Sequence, residues 1–315
     1  MNQKIEACKM ENLVIVDLGS NSVRMAINEI RDDGSFHEVR RIKEDSRISE
    51  GMGSNKVLQP IAMERTIAAL KRFKHIYNNY PKRTVRGIAT AAVRVAKNQA
   101  EFLKRVQDEV GIELDVLSGN DEAYYDYLGV MNSLEIKDCL ILDTGGASCE
   151  LIHVQNGKPR NLISVPFGAV SLSERFHLNN VVRADRLFAA QNFVNKQFRD
   201  IWWIMDALQL PIILLGGANR TLARMNRQHQ GMARVDNIHG YRLKTEVVNK
   251  TFRALLSRNL ANRKKMPGLE TPRADIIIGG ILPLVMLLQM LDADRVIFSE
   301  SGVREGIISE YVHHR

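Results

Sequence analysis

One pattern occurs twice in this chain and limits what it can fold into more than any other feature. A short apolar run, Leu13-Val14-Ile15-Val16, ends in Asp17-Leu18-Gly19-Ser20-Asn21-Ser22. A β-branched run ending in Asp-x-Gly and small polar residues reads as a buried strand leaving its sheet through a tight turn. Arg24 to Ile30 continues as a half-buried strand, Asp32-Asp33-Gly34 supplies hairpin turn chemistry, and Phe36 to Ile42 returns. The second copy is Leu140-Ile141-Leu142, then Asp143-Thr144-Gly145-Gly146-Ala147-Ser148, the strand Glu150 to Val154, the turn Gln155-Asn156-Gly157, and a return over Leu162 to Val165. A duplicated strand–turn–hairpin unit predicts two domains of like fold, with the two small-residue loops facing each other.

Between the copies and after the second, the pattern alternates. Apolar positions at helical spacing predict helices over Pro60 to Tyr80 and Ala184 to Leu208, the second placing Trp202 and Trp203 in the core. Asn98, with Glu101 three residues on, reads as a capping-box start, and Gly111 as a helix stop. Strands are expected over Val85 to Ala89, Glu113 to Leu117, Ile212 to Leu215 and Val296 to Phe298. The whole reads as α/β with mixed sheets. With 315 residues, two domains are expected. We place them at 1–130 and 131–302, with a C-terminal helix over about 303–315 crossing back to the first.

The apolar window Gly280 to Leu291 is shorter than the roughly 20 residues that a membrane span needs, so it reads as a buried helix. The N-terminal stretch has no apolar signal core, and Cys8, Cys139 and Cys149 show no Cys-x-x-Cys spacing. Cys139 and Cys149 read as buried free thiols, and the expected location is the cytoplasm, away from any membrane. The net charge of +8 favours an anionic partner. Lys71, Arg72, Lys74, Lys82, Arg83, Arg263, Lys264 and Lys265 would suit a polyanion track or a solvated helix face. Nucleic acid has only the charge behind it, with aromatics at 6%.

Phosphate groups are held by backbone N–H groups, hydroxyls and cations. Gly19-Ser20-Asn21-Ser22 and Gly145-Gly146-Ala147-Ser148 have that chemistry, and their matched occurrence is what makes the reading more than a common turn. A third glycine turn, Gly216-Gly217, follows the strand Ile212 to Leu215 and could take a distal phosphate or simply join strand to helix. Thr90 and Arg94 end another strand and could grip a terminal phosphate. Glu122, at a helix start after Ser118-Gly119, is the candidate base, with Asp121 its neighbour and competitor.

Together the segments VDLGSNSVRM, ATAAVRVAKNQAEFL, LSGNDEAYYDYLGV, LILDTGGASCEL, VPFGAVSLSERF, LLGGANRTLA and FSESGVREGI resemble, in order, the exopolyphosphatase/guanosine-pentaphosphate phosphatase family. The resemblance implies two duplicated ribonuclease H-like domains of the actin, sugar-kinase and Hsp70 superfamily with an interdomain cleft. It implies Glu122 as the group activating water, Asp17 and Asp143 as aspartates orienting Mg²⁺ (or Mn²⁺) and water, and Glu150 as a supporting carboxylate at the metal. It also implies the loops Gly19 to Ser22 and Gly145 to Ser148 as phosphate cradles and Arg94 as the terminal-phosphate arginine.

The implied reaction is release of terminal orthophosphate from inorganic polyphosphate, or of the 5′-γ-phosphate of pppGpp in the stringent response, by a homodimeric enzyme. Three departures stand out. Ala147 occupies a position usually glycine, and would strain the loop if φ were positive there. Asp121 replaces a glutamate. The C-terminal helical domains of longer members are missing from the sequence. A catalytically weak sensor of (p)ppGpp or polyphosphate is the competing reading, and a kinase-like transferase the other enzymatic one.

Overall fold

The computed structural model describes residues 11–314, so Cys8 falls outside it. The chain divides into two compact units. One takes the residues up to Met52, Lys56–Leu117 and those from Ile308 on; the other takes Gly53–Asn55 and Ser118–Ile307.

In the first unit β1 (Glu11–Leu18), β2 (Val23–Ile30) and β3 (Phe36–Glu44) form an antiparallel meander. The helix α1 (Pro60–Tyr77) then leads to β4 (Arg83–Ala89), which lies parallel to β1. The short α2 (Ala91–Arg94), α3 (Gln99–Val110) and the parallel strand β5 (Leu114–Val116) complete it, in the sheet order β3-β2-β1-β4-β5. Leu13 to Val16 of β1 are fully buried, as a strand covered on both faces requires.

The second unit opens with α4 (Gly119–Met131) and repeats the meander as β6 (Cys139–Thr144), β7 (Cys149–Gln155) and β8 (Lys158–Val165). Next come α5 (Ala169–Arg175), α6 (Ala184–Arg199), β9 (Ile212–Leu215), α7 (Gly217–His229), β10 (Arg242–Lys244), α8 (Thr245–Leu256) and α9 (Leu260–Arg263). The apolar α10 (Ile277–Met290), β11 (Arg295–Phe298) and α11 (Val303–His313) close the chain. The sheet order is β10-β11-β9-β6-β7-β8, with β9 and β11 parallel to β6 and β10 an added antiparallel edge. Without β10 this is the order of the first sheet. Both units therefore carry the ribonuclease H-like arrangement, duplicated.

Alternate residues of β6 and β7 feed two cores, one on each face of the sheet. Leu140, Leu142, Cys149 and Leu151 join α10 and α7 on one side, while Ile141, Ile152 and Val154 join Ala123 and Val130 of α4 on the other. This packing explains why α4 belongs to the second unit, although the sequence reading ended its first domain at 130. Tyr127 adds a hydrogen bond from its hydroxyl to the Gly157 carbonyl at 2.9 Å.

Several other expectations change in the folded chain. The helix read over Ala184 to Leu208 stops at Arg199, and a separate 3₁₀ turn covers Ile204–Ala207. Adjacent residues in the intervening turn cannot share one face. Trp203 is buried and stacks on His153, whereas Trp202 is 82% exposed and is not a core residue. Asn98 makes no side-chain cap; its amide instead bridges the Leu58 N–H and carbonyl at 2.9 and 3.1 Å. Gly111 ends α3 in the left-handed conformation, as read.

Among the basic residues, Arg263 is fully buried and donates to the carbonyls of Leu178, Asn179 and Asn180, so it belongs to no surface track. Lys71 and Arg72 are held by Glu109 and Glu44. Cys139 and Cys149 are buried and free, and burial pushes the Cys139 thiol up to about 12. No helix among the described residues is long and apolar enough to cross a membrane.

Candidate functional site

The duplicated loops are alike to the level of single hydrogen bonds. Gly19 N–H donates to the Ser22 carbonyl at 3.1 Å, and Gly145 N–H to the Ser148 carbonyl at 3.1 Å. Each loop is also tied from behind. In the first unit Arg47 and Ser49 donate their N–H groups to the carbonyls of Asn21 and Ser20, at 3.0 and 3.1 Å. In the second, Ala169 and Val170 at the start of α5 donate to the carbonyls of Gly145 and Gly146, at 2.9 and 2.8 Å. The carbonyls of Ser20, Asn21 and Ser22, and of Gly145, Gly146 and Ser148, are thus occupied, while the N–H groups of Ser20, Asn21 and Ser22, and of Gly146, Ala147 and Ser148, have no backbone acceptor among the described residues. Three successive free N–H groups in a tight turn form an anion-binding concavity. Ala147 is not among the residues with positive φ, so alanine there adds no backbone strain.

The strands entering the loops differ in charge. Register pairs Asp17 with Arg24 across β1 and β2, and Asp143 with Glu150 across β6 and β7. In the first unit the pair is an ion pair at 3.7 Å. In the second it sets two carboxylates opposite each other, an arrangement that is unfavourable unless something neutralises it. A third carboxylate, Asp126 of α4, completes the group: ligand oxygens of Asp126, Asp143 and Glu150 all lie within 4.8 Å of one another.

Asp126 is fully buried and Glu150 is 1% exposed. Neither Asp126 oxygen meets a donor in bonding geometry, and Glu150 has Oε2 without a partner while Oε1 accepts from the Ser164 hydroxyl at 2.7 Å. Burial first, then the charges of Asp143, Glu150 and Glu122, hold the Asp126 carboxyl well above the usual range; the nearby Val303 amide pulls only weakly the other way. Glu150 is raised by burial and by Glu122 and Asp143, against the hydroxyls of Ser164 and Ser148.

Oxygens of three carboxylates this close together, with both of Asp126 and Oε2 of Glu150 short of a donor among the described residues, fit a hard divalent cation. Such ions take oxygen ligands at about 2.0–2.6 Å, so two ligands of one ion stand at most about 4–5 Å apart. Asp17 belongs to the first unit.

Glu122 sits one turn before Asp126 on the same face of α4 and is 8% exposed. Asp121 has a different task. Its carboxylate accepts from the Ser118 hydroxyl at 2.7 Å, and its N–H donates to Ser118 Oγ at 3.1 Å, closing the capping box of α4. Asp121 therefore caps α4, while the Glu122 charge acts on Asp126 and Glu150.

The third glycine turn borders the same group. Gly216 has φ +84°, and an added Cβ would lie 2.5 Å from Asp143 Oδ1. Gly217 begins α7 under the Arg273 guanidinium, where a Cβ would come within 2.1 Å of it. In the first unit Thr90 donates its N–H to the Leu18 carbonyl at 3.1 Å, which places it beside the Gly19 loop at the carboxyl edge of the sheet. Arg94 donates to the Leu117 carbonyl at 2.9 Å. The residue that sequence reasoning missed is Asp126. Its signal was the four-residue spacing from Glu122, which puts both on one helix face.

The Ppx/GppA phosphatase family profile matches residues 26–315. The chain belongs to this family. A solved Aquifex aeolicus Ppx/GppA enzyme is 30% identical and superposes with a TM-score of 0.77 over 96% of this chain and 100% of that one. An exopolyphosphatase from Cytophaga hutchinsonii shares the fold, with a TM-score of 0.90 over 96% of this chain and 98% of that chain, at 23% identity. The bifunctional 3-dehydroquinate synthase/phosphatase of Fusobacterium nucleatum is 29% identical over 313 residues, 95% of this chain. The chain spans only 46% of that relative's length. Within the Ppx/GppA family, then, this chain sets its acidic group at the carboxyl ends of β6 and β9, beside a loop with free N–H groups.

Proposed function

We propose that this chain is a phosphohydrolase that releases orthophosphate from the end of inorganic polyphosphate, or the 5′-γ-phosphate from pppGpp. The observation that carries the reading is the placement of Glu122. It is a buried carboxylate on the first turn of α4, facing Asp126 and Glu150 in the unit that also holds the Gly145–Ser148 loop. Phosphoryl transfer to water needs a group to orient the nucleophile and donors to spread charge over the phosphate oxygens.

In this reading the N–H groups of Gly146, Ala147 and Ser148 bind phosphate oxygens, and Glu122 accepts a proton from the attacking water. The water oxygen bonds to the terminal phosphorus, and the bridging P–O bond breaks. Orthophosphate and a chain shorter by one phosphate leave. Asp143 and Glu150 would hold a divalent cation, Mg²⁺ or Mn²⁺, which supplies neutralising charge beside the phosphates. In the first unit, Gly19 to Ser22, Thr90 and Arg94 are the phosphate-binding candidates, and Asp17 the remaining metal-orienting one. Homodimer formation belongs to the same proposal.

The sensor reading drew its motives from Ala147 and from the missing C-terminal helical domains, and the relaxed backbone at Ala147 removes the first of these. The deciding experiment compares orthophosphate release by wild type and Glu122→Gln, with Mg²⁺, on long polyphosphate and on pppGpp. Loss of a general base lowers the rate by about 10²–10⁴-fold. Tight binding of either compound without release by the wild type would replace the hydrolase with a sensor.

A further inference from the structure

We propose that Asp126 is a direct ligand of the cation in the second unit, so that one helix carries both the water-activating carboxylate and a ligand of the ion. The inference rests on the reading that Asp143 and Glu150 hold a divalent cation, and adds a residue that the strand-and-loop pattern of the chain does not contain.

Asp126 is on the fourth residue after Glu122, in the interior of α4 and completely buried. A helix face packed against a sheet normally carries apolar residues, and its neighbours on this face, Ala123 and Val130, do so. A buried carboxylate is tolerated when it is hydrogen-bonded, paired with a cation or bound to a metal. Neither oxygen of Asp126 has a partner in hydrogen-bond geometry among the described residues, and the one donor near it is the Val303 amide. No basic side chain is among the groups acting on its charge; apart from the Val303 amide, these are Asp143, Glu150 and Glu122, all of the same sign.

A proton would reduce the repulsion yet leave the oxygens without partners. A divalent ion among Asp126, Asp143 and Glu150 answers both needs at once. The backbone makes room for this carboxylate: a Cβ at Gly302 would lie 2.9 Å from Asp126 Oδ1. The first unit has no need of such an ion at the equivalent strands, because Arg24 already faces Asp17.

One consequence concerns geometry. Because Glu122 and Asp126 are successive turns of one rigid helix, the ion and the water-activating group are held in register by α4, independently of the loops. Another concerns the metal-free protein, in which a fully buried Asp126 with only the Val303 amide near it contributes little to stability.

The test measures Mn²⁺ binding to the full chain by titration calorimetry and by the loss of the free-ion electron paramagnetic resonance signal. Wild type, Asp126→Asn, Asp126→Glu and Glu122→Gln are compared, with thermal melting of each in chelator. Asp126→Asn is expected to weaken Mn²⁺ binding at least 10-fold and to melt in chelator at or above the wild-type temperature. Asp126→Glu is expected to recover binding, and Glu122→Gln to stay within about 3-fold of wild type. A purely structural role for Asp126 would instead lower the melting temperature in chelator and leave Mn²⁺ affinity unchanged, which would overturn the proposal. No Mn²⁺ binding by the wild type would remove the underlying cation reading itself, whatever the hydrolysis assay with Glu122→Gln returns.

Discussion

Gly216 shows how closely the acidic group is bounded by single residues. Its φ of +84° is one that side-chain-bearing residues adopt at a cost of about 1 kcal/mol or more, and its missing Cβ would meet Asp143 Oδ1 at 2.5 Å. Gly216→Ala should therefore displace Asp143 and lower phosphate release by at least about 10-fold, read in the orthophosphate assay, a shift of some 1.4 kcal/mol in barrier. Ala147 leads to the opposite expectation. Its backbone is not left-handed, so restoring glycine there relieves no strain. Ala147→Gly should leave phosphate release within about 2-fold and lower stability in urea by about 0.4–1 kcal/mol, through the greater freedom of the unfolded chain.

At the scale of elements, the second loop depends on how α5 packs against α10. Gly279 of α10 lets α5 approach so closely that a Cβ would stand 2.5 Å from Ser173 Oγ and 2.6 Å from the Ala169 carbonyl. Ala169 in turn holds the Gly145 carbonyl through its N–H at 2.9 Å. Gly279→Val should push α5 outward at a cost of about 1–3 kcal/mol and loosen the loop with it. Thermal melting would show the lost stability. Phosphate release, assayed well below the melting temperature, should fall as well. A variant with lowered melting but full activity would show that α5 does not hold the loop.

At the scale of the molecule, the chain ends where it began. Residues from Ile308 on belong to the first unit, and the Tyr311 hydroxyl donates to Glu11 Oε1 at 2.6 Å beside Thr84 of β4. Tyr311→Phe is expected to cost about 1 kcal/mol. Hydrogen exchange should locate the effect, with amides of β1 and β4 exchanging faster while those of β6 and β7 keep their protection. Uniform loss of protection in both sheets would show that the units do not unfold separately.

Strand starts, hairpin turns and the duplicated loop were legible in the sequence because they depend on local chemistry. Alternation and β-branching mark β1 and β6, Asp33-Gly34 and Asn156-Gly157 mark the turns, and Gly111 marks a helix end. Glu122 stood out as an acid at a helix start, whereas metal-holding roles for Asp143 and Glu150 came only from the family resemblance. Tertiary structure decided what depends on distant neighbours. Asp126, which the sequence reading passed over, is buried only because β6 and β7 pack over α4. Arg263 reads as surface charge until the carbonyls of 178–180 surround it, and Trp202 as core until α6 ends before it. The charges facing one another across each hairpin, Arg24 on Asp17 and Glu150 on Asp143, follow from strand register. Whether such a pair neutralises itself or gathers a third carboxylate is settled only by what is folded against it.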